Sequence, residues 1–287
     1  MTQSAVLYHP PITIWNAFSR NKTALGSICL LGLIILFSLV IPVLSPRGFD
    51  EINLSQKNLP PSAEYWFGTD DLGRDLFVRV WYGARISLCV GVAAASLDIF
   101  VGIIWGGVAA LSGGFLDELL MRTADILYAL PYLLVVILII LVLGSGLISI
   151  IVGLSVTGWI PMARILRAHL LQLKKQQFIL AAEAMGASFW RILFKHLLPN
   201  SKGQILVTLT LTIPSAIFGE AFLSFLGLGI PPPAASWGTL ASEGMSALGY
   251  YPWRFIFPGA LISVTMLAFY LVCEGLREAF ECCNNRR

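Results

Sequence analysis

The chain has 287 residues, of which 57% are hydrophobic and 12% charged, and its mean hydropathy is +0.79; an average soluble chain is about 25% charged. That composition excludes a soluble enzyme, and a net charge of +3 gives no footing for nucleic acid. A bilayer core about 30 Å thick takes about 20 apolar residues per helix, so six spans would use roughly 120 residues and leave short loops.

The first apolar run, Leu25 to Leu44, follows Arg20 and Lys22. At about 20 residues it exceeds the 7 to 15 of a signal peptide's apolar region, so it is expected to stay as a membrane anchor. A polar stretch, 45–82, separates it from a second span over 86–111, where Gly102 and Gly106 have the spacing that lets helices approach closely. A third span is expected over 132–143. The turn Gly144-Ser145-Gly146 then leads into a fourth, from Leu147 to about Met162, ended or bent by Pro161. Residues 163–202 hold Arg164, Arg167, Lys174, Lys175, Arg191, Lys195 and Lys202, too much charge for hydrocarbon, and read as a solvent-facing loop. A fifth span over 204–226 is kinked at Pro214, a polar glycine-rich stretch fills 227–253, and a sixth span runs from Phe255 to about Cys273. The expected fold is an all-α integral membrane protein with six transmembrane helices. It divides into an N-terminal part, 1–82, and a five-helix core, 83–287, which carries the loop 163–202.

The positive-inside rule counts Lys and Arg in short loops. With the N-terminus inside, thirteen lie on the inner side (Arg20, Lys22, Arg122, the seven of the long loop, Arg277, Arg286 and Arg287) and six on the outer (Arg47, Lys57, Arg74, Arg79, Arg85 and Arg254). Both termini are therefore expected in the cytoplasm. Trp237, Tyr250, Tyr251 and Trp253 are expected to form an aromatic belt at the outer interface.

The polar groups argue against catalysis by this chain. The histidines, His9, His169 and His196, fall at or beyond the inner surface, so no serine in the membrane has a histidine base within reach, and no HExxH pair occurs. The five cysteines lack the spacing of a zinc site or a disulfide scaffold. No lysine follows a glycine, as a P-loop requires, so nucleotide energy has to come from another chain. A secondary transporter would instead need ionisable groups in the membrane, and two carboxylates are candidates. Asp98 lies twelve residues into the second span, roughly 18 Å deep. It reads either as a pathway or proton-linked carboxylate or as a packed acid satisfied by a hydroxyl or a neighbouring subunit. Glu220, twenty-one residues past Pro199, is expected to emerge near the outer face and snorkel to water.

In the long loop, residues 176–185 favour helix, and Gly186 falls where a helix C-terminus wants positive φ. A second short helix is expected over 188–198, with Ser188 as N-cap and Pro199 closing it by opening the next helix. The small surface of Ala181, Ala182 and Ala184 would admit another protein's groove, with Phe178, Met185 and Phe189 for apolar contact; the alternative is a loop lying on lipid headgroups through its lysines. Outside, Gly68 to Arg79 is acidic but lacks the order of a calcium loop. A helix begun by Asp71, with Asp75 and Arg79 as an i,i+4 pair, is expected there, and Pro231 to Pro233 should stiffen an outer loop.

Leu180-Ala-Ala-Glu-Ala-Met-Gly186, with Leu198-Pro199 twelve and thirteen residues after the glycine, resembles the EAA loop of bacterial ABC importer permeases. Phe67-Gly-Thr-Asp-Asp-Leu-Gly-Arg-Asp75, Leu223-Ser-Phe-Leu-Gly-Leu-Gly229 and Ser236-Trp-Gly238 resemble the second permease subunit of that family's peptide and nickel branch. The resemblance implies a multi-pass subunit of the bacterial inner membrane that forms the pathway with a second, homologous permease. Two ATPase subunits would bind ATP and magnesium, this chain holding no cofactor itself, and an extracytoplasmic binding protein would deliver a di- or oligopeptide. Nickel or a metal chelate is the alternative cargo, and an ion-coupled transporter using Asp98 the alternative of another class. The resemblance makes the EAA loop a coupling helix against the ATPase, through Ala181, Ala182, Glu183, Gly186, Leu198 and Pro199. One departure stands out: the glutamate expected six residues before the glycine is Leu180, and Glu183 lies three residues later.

Overall fold

In the computed structural model, residues 14–284 are described, and His9, Arg286 and Arg287 lie outside them. A short helix, α1 (Ile14–Phe18), precedes α2 (Lys22–Leu44). Asn21 starts α2, its side-chain oxygen accepting the amide of Ala24 at 3.0 Å. The next helix, α3 (Leu76–Ser112), begins ten residues before the expected start at Ile86 and contains the expected division at 82. Its N-cap is Asp75, not Asp71. The Asp75 Oδ1 accepts the Phe77 amide at 2.9 Å, which turns this carboxylate away from Arg79, so the expected Asp75–Arg79 pair does not form. With 37 residues α3 is about 55 Å long and overshoots the hydrocarbon.

The expected third span, 132–143, is only the second arm of a bent pair. The helices α4 (Gly114–Ala129) and α5 (Tyr132–Leu143) meet at 86°. Twelve residues of α5 reach about 18 Å, too little to cross alone. Among the described residues five helices are long and apolar enough to cross a bilayer, and the bent pair, taken as one broken span, makes up to six. The fourth span, α6 (Leu147–Leu173), continues through Pro161. Residues 163–173 are therefore helix, and the expected forty-residue loop shrinks to 174–201. Ala163, Leu166 and Leu170 are buried on this extension. Its cations are neutralised by α4: the Arg167 fork donates to both oxygens of Asp117 at 2.6 Å, and Arg164 donates to Asp125 at 2.6 Å.

Beyond α6 come α7 (Gln177–Ala184), α8 (Phe189–Arg191), a π-helical turn (Ile192–Leu197), α9 (Leu198–Asn200) and α10 (Lys202–Phe225). Pro199 sits inside α9 rather than between two helices. Having no N–H, it leaves the ladder short of a donor. The Leu198 amide reaches back five residues to the Leu193 carbonyl, and the Asn200 side chain donates to the His196 carbonyl at 2.6 Å. The outer stretch 227–253 contains a helix that the sequence reading lacked, α11 (Trp237–Met245), opened by a capping box between Ser236 and Thr239. Finally α12 (Trp253–Asn284) extends well past Cys273. Among the described residues no strand occurs, only an isolated bridge between Thr69 and Asp75.

The helices are held together by small residues and buried apolar faces. A Cβ on Gly102 would lie 2.7 Å from that of Met162, and one on Gly106 would strike the Ala163 carbonyl. The α3–α6 contact thus needs both glycines, as their spacing suggests. Phe18 and Ala24 pack with Ala268, Val272 and Ala279 of α12, and the Asn21 amide donates to Glu278 at 2.8 Å. The two ends of the described chain therefore share one side of the bundle, as an even number of crossings requires.

Candidate functional site

The glycine-jointed segment is built locally. At the end of α7 the Gly186 amide donates to Glu183 (2.9 Å) and the Ala187 amide to Ala182 (3.0 Å), a Schellman closure in which Gly186 takes φ +79°. The helix is anchored through one face only. Ile179 and Ala182 are buried, Ile179 in a cluster with Leu166, Leu170, Ile192, Leu193 and Leu197. Ala182 thus faces inward rather than presenting a small outer surface. Ala181, Glu183, Ala184 and Gly186 are exposed, flanked by Phe178, Leu180 and Met185, the last 81% exposed. Leu180, at the position where the EAA pattern has its acid, offers solvent an apolar side chain. Leu198 is half-buried and Pro199 exposed at the far end of the segment. The result is a short, largely apolar prominence, with Glu183 as its one acid, fixed to α6 and leading into α10.

The two membrane carboxylates occupy different settings. Asp98 is buried between α3 and α6, its Cγ 2.8 Å from where a Cβ on Gly158 would lie. Its Oδ1 has no hydrogen-bond partner among the described residues. Glu220 does not snorkel: it is fully buried. It accepts from Ser236 (2.5 Å) and Ser224 (2.7 Å) through Oε1 and from Ser87 (3.2 Å) through Oε2. Ser87 in turn accepts the Trp237 amide at 3.0 Å. Trp237, far from lining an interfacial belt, is fully buried with its indole N–H on the Val80 carbonyl at 3.0 Å. Glu220 therefore clasps α10, α3 and the start of α11 together. The two acids do not converge on one site.

A second polar assembly joins the first turn of α3 to α11 and α12. Asp70 Oδ2 accepts from Arg74 at 2.7 Å and Arg79 at 2.5 Å; Arg79 also reaches Glu243 at 3.1 Å, and Arg254 reaches Asp71 at 3.2 Å. Burial acts to raise the Asp70 carboxyl, but the guanidiniums of Arg79 and Arg74, with the Arg74 amide, outweigh it and hold it below the usual carboxylate range. Arg74 and Arg79 lie within nine residues of Asp70, inside the acidic stretch 68–79, whereas Glu243 and Arg254 come from far along the chain and leave no trace in that stretch.

The family described as binding-protein-dependent transport system inner membrane component matches residues 98–281, and the N-terminal TM domain of oligopeptide transport permease C matches residues 12–61. The chain is 54% identical over 274 residues to the oligopeptide transport system permease protein OppC of Bacillus subtilis, covering 94% of this chain and 90% of that protein. It is 50% identical over 268 residues to the dipeptide transport system permease protein DppC of the same organism, covering 93% and 84%. Against OppC of Escherichia coli the identity is 40%, covering 92% and 88%. In fold alone it is similar to the MetNI methionine ABC transporter in an inward-facing conformation, with a TM-score of 0.58 and 20% identity over 72% of this chain and 95% of that one. The chain therefore belongs to the binding-protein-dependent inner membrane components, in their dipeptide and oligopeptide permease branch, and is a multi-pass protein of the bacterial inner membrane.

Proposed function

We propose that this chain is the second permease subunit of an ATP-driven, binding-protein-dependent importer of di- or oligopeptides. The observation that carries this reading is its identity of 54% and 50% to oligopeptide and dipeptide permeases over more than nine-tenths of its length. A second permease completes the pathway, two further subunits bind ATP and magnesium, and a binding protein delivers peptide from outside. Both termini lie in the cytoplasm, the side on which the ATPases act.

Coupling follows from the way α7 is mounted. A ligand shifts a conformational equilibrium only by its difference in affinity for the two states. Closure of the ATPase dimer must therefore bear on a part that moves as one body with the spans. Ile179 packed against Leu166 and Leu170 ties α7 to α6, while the chain from Ser188 to Ser201 ties it to α10. Ala181, Glu183 and Gly186 present the docking face, Ala182 the anchor, and Leu198 and Pro199 the connection to α10. With Leu180 in place of the usual acid, apolar burial carries more of the docking to the ATPase, and Glu183 is the acid left on that face.

Uptake in a strain lacking this gene tests the reading. Labelled di- and tripeptides should enter only when the gene is restored, and vanadate should stop them while a protonophore should not. Nickel uptake restored without peptide uptake would overturn the assigned cargo, and sensitivity to the protonophore alone would point to ion coupling through Asp98.

A further inference from the structure

The segment 189–200 carries a face turned away from the cluster that buries its other side. Ile192, Leu193 and Leu197 point into the protein. The opposite side presents Trp190 and Phe194, 54% and 55% exposed, with ring centroids 5.8 Å apart and planes at 20°. Beside them stand Arg191 and Lys195, both exposed and without an ion pair among the described residues. The contrast with the neighbouring cations is informative, since Arg164 and Arg167 both have carboxylate partners. Spaced at i and i+4, the two rings and the two cations form adjacent stripes on one helical surface.

The depth of this surface is fixed by what lies behind it. Leu193 packs on Gly107, where a Cβ would come 2.9 Å from its Cδ1. Gly107 is five residues, about 7.5 Å, from the end of α3 at Ser112. The segment also runs within two residues into the membrane span α10. Trp190 and Phe194 thus stand level with the last turns of a membrane helix, at the height of the headgroups. Aromatic rings favour that zone, and unpaired Arg and Lys beside them complement anionic headgroups. The prominence of α7, by contrast, shows Phe178, Leu180, Ala181 and Met185 without a cation, a surface suited to a protein groove.

We propose that Trp190, Arg191, Phe194 and Lys195 form a binding surface for anionic phospholipid of the inner leaflet. The two rings lie along the upper acyl chains, and the two cations hold the phosphate or phosphatidylglycerol headgroup. The lipid braces the segment through which α7 drives α10, so transport should depend on anionic lipid.

The test is photo-crosslinking in the full assembly, reconstituted in bilayers of phosphatidylcholine mixed with phosphatidylglycerol. Benzoylphenylalanine replaces Phe194, and mass spectrometry identifies the adducts; the same probe in place of Trp190 serves if the first position disturbs assembly. Phospholipid adducts are expected, richer in phosphatidylglycerol than the bulk bilayer. At about 1 kcal/mol per basic side chain near the surface, the double variant R191Q/K195Q should lower that enrichment by up to about 30-fold, bringing it to the bulk ratio. Adducts to the ATPase or to the second permease would overturn the proposal, as would lipid adducts at the bulk ratio whether or not the two cations are present. Peptide uptake plays no part in this readout, so its outcome is independent of the cargo assigned above.

Discussion

Gly186 offers the sharpest test of coupling because its replacement has one physical consequence. A Cβ at this position meets nothing within 4 Å, so no packing is lost or crowded. What changes is the backbone: Gly186 holds φ +79°, which a β-branched residue adopts at a cost of about 2–3 kcal/mol. At 1.4 kcal/mol per factor of ten, Gly186→Val should disfavour the closed end of α7 by about 30- to 150-fold. Gly186→Asn should cost much less, since asparagine visits this region readily. Because Ile179 and the spans are untouched, both variants should reach the membrane in normal amounts. In proteoliposomes with the complete assembly, stimulation of ATP hydrolysis by peptide-loaded binding protein should collapse in the valine variant and largely survive in the asparagine one. Normal stimulation in Gly186→Val would refute the argument. Equal damage from Val and Asn would show that side-chain volume, not backbone strain, is what matters.

Two further expectations follow from the polar clusters around Glu220 and Asp70. Removing Glu220 leaves the hydroxyls of Ser87, Ser224 and Ser236 without their acceptor. With about 1–3 kcal/mol per buried group stranded, partly recovered by rearrangement, Glu220→Ala should cost on the order of 3–5 kcal/mol, read as a large fall in Tm of the detergent-solubilised chain and faster proteolysis within 227–252; an unchanged Tm would dismiss the clasp. Asp70 makes its ion-pair assembly acid-sensitive. Its folded pKa lies below the ordinary 3.8, so its contribution is complete above that value and is lost as pH falls through the lower folded one. Asp70→Asn should therefore lower Tm at neutral pH and flatten its decline below pH 4; parallel acid limbs in parent and variant would count against the ionic account.

The parts legible in the sequence share a short range. Hydrocarbon demands an apolar run, and each run except 132–143 marks its own span. The close of α7 was readable because every group it needs lies between Ala181 and Ala187. What escaped was fixed at a distance. Arg164 and Arg167 looked too charged for a buried helix, but their partners Asp125 and Asp117 stand 39 and 50 residues away, and that neutralisation lets α6 run on to Leu173. Asp71 and Asp75 have equal capping propensity; Arg254, which pairs with Asp71, and Arg47, 3.4 Å from Asp75, help decide which one caps. Counting depth along α10 brought Glu220 near water, but Ser87 lies 133 residues before it and Ser236 sixteen after, and neither is visible in the run itself.

The same division of range has a consequence for coupling. The close of α7 is built from its own residues, whereas its attachment through Ile179, Leu166 and Leu170 depends on packing across the chain. A device that must keep its form while the body beneath it changes conformation needs this separation. Weakening the attachment, for instance with Ile179→Ala, should then impair transport while the helix itself stays intact; loss of helical structure in α7 would instead place its integrity, not its mounting, under tertiary control.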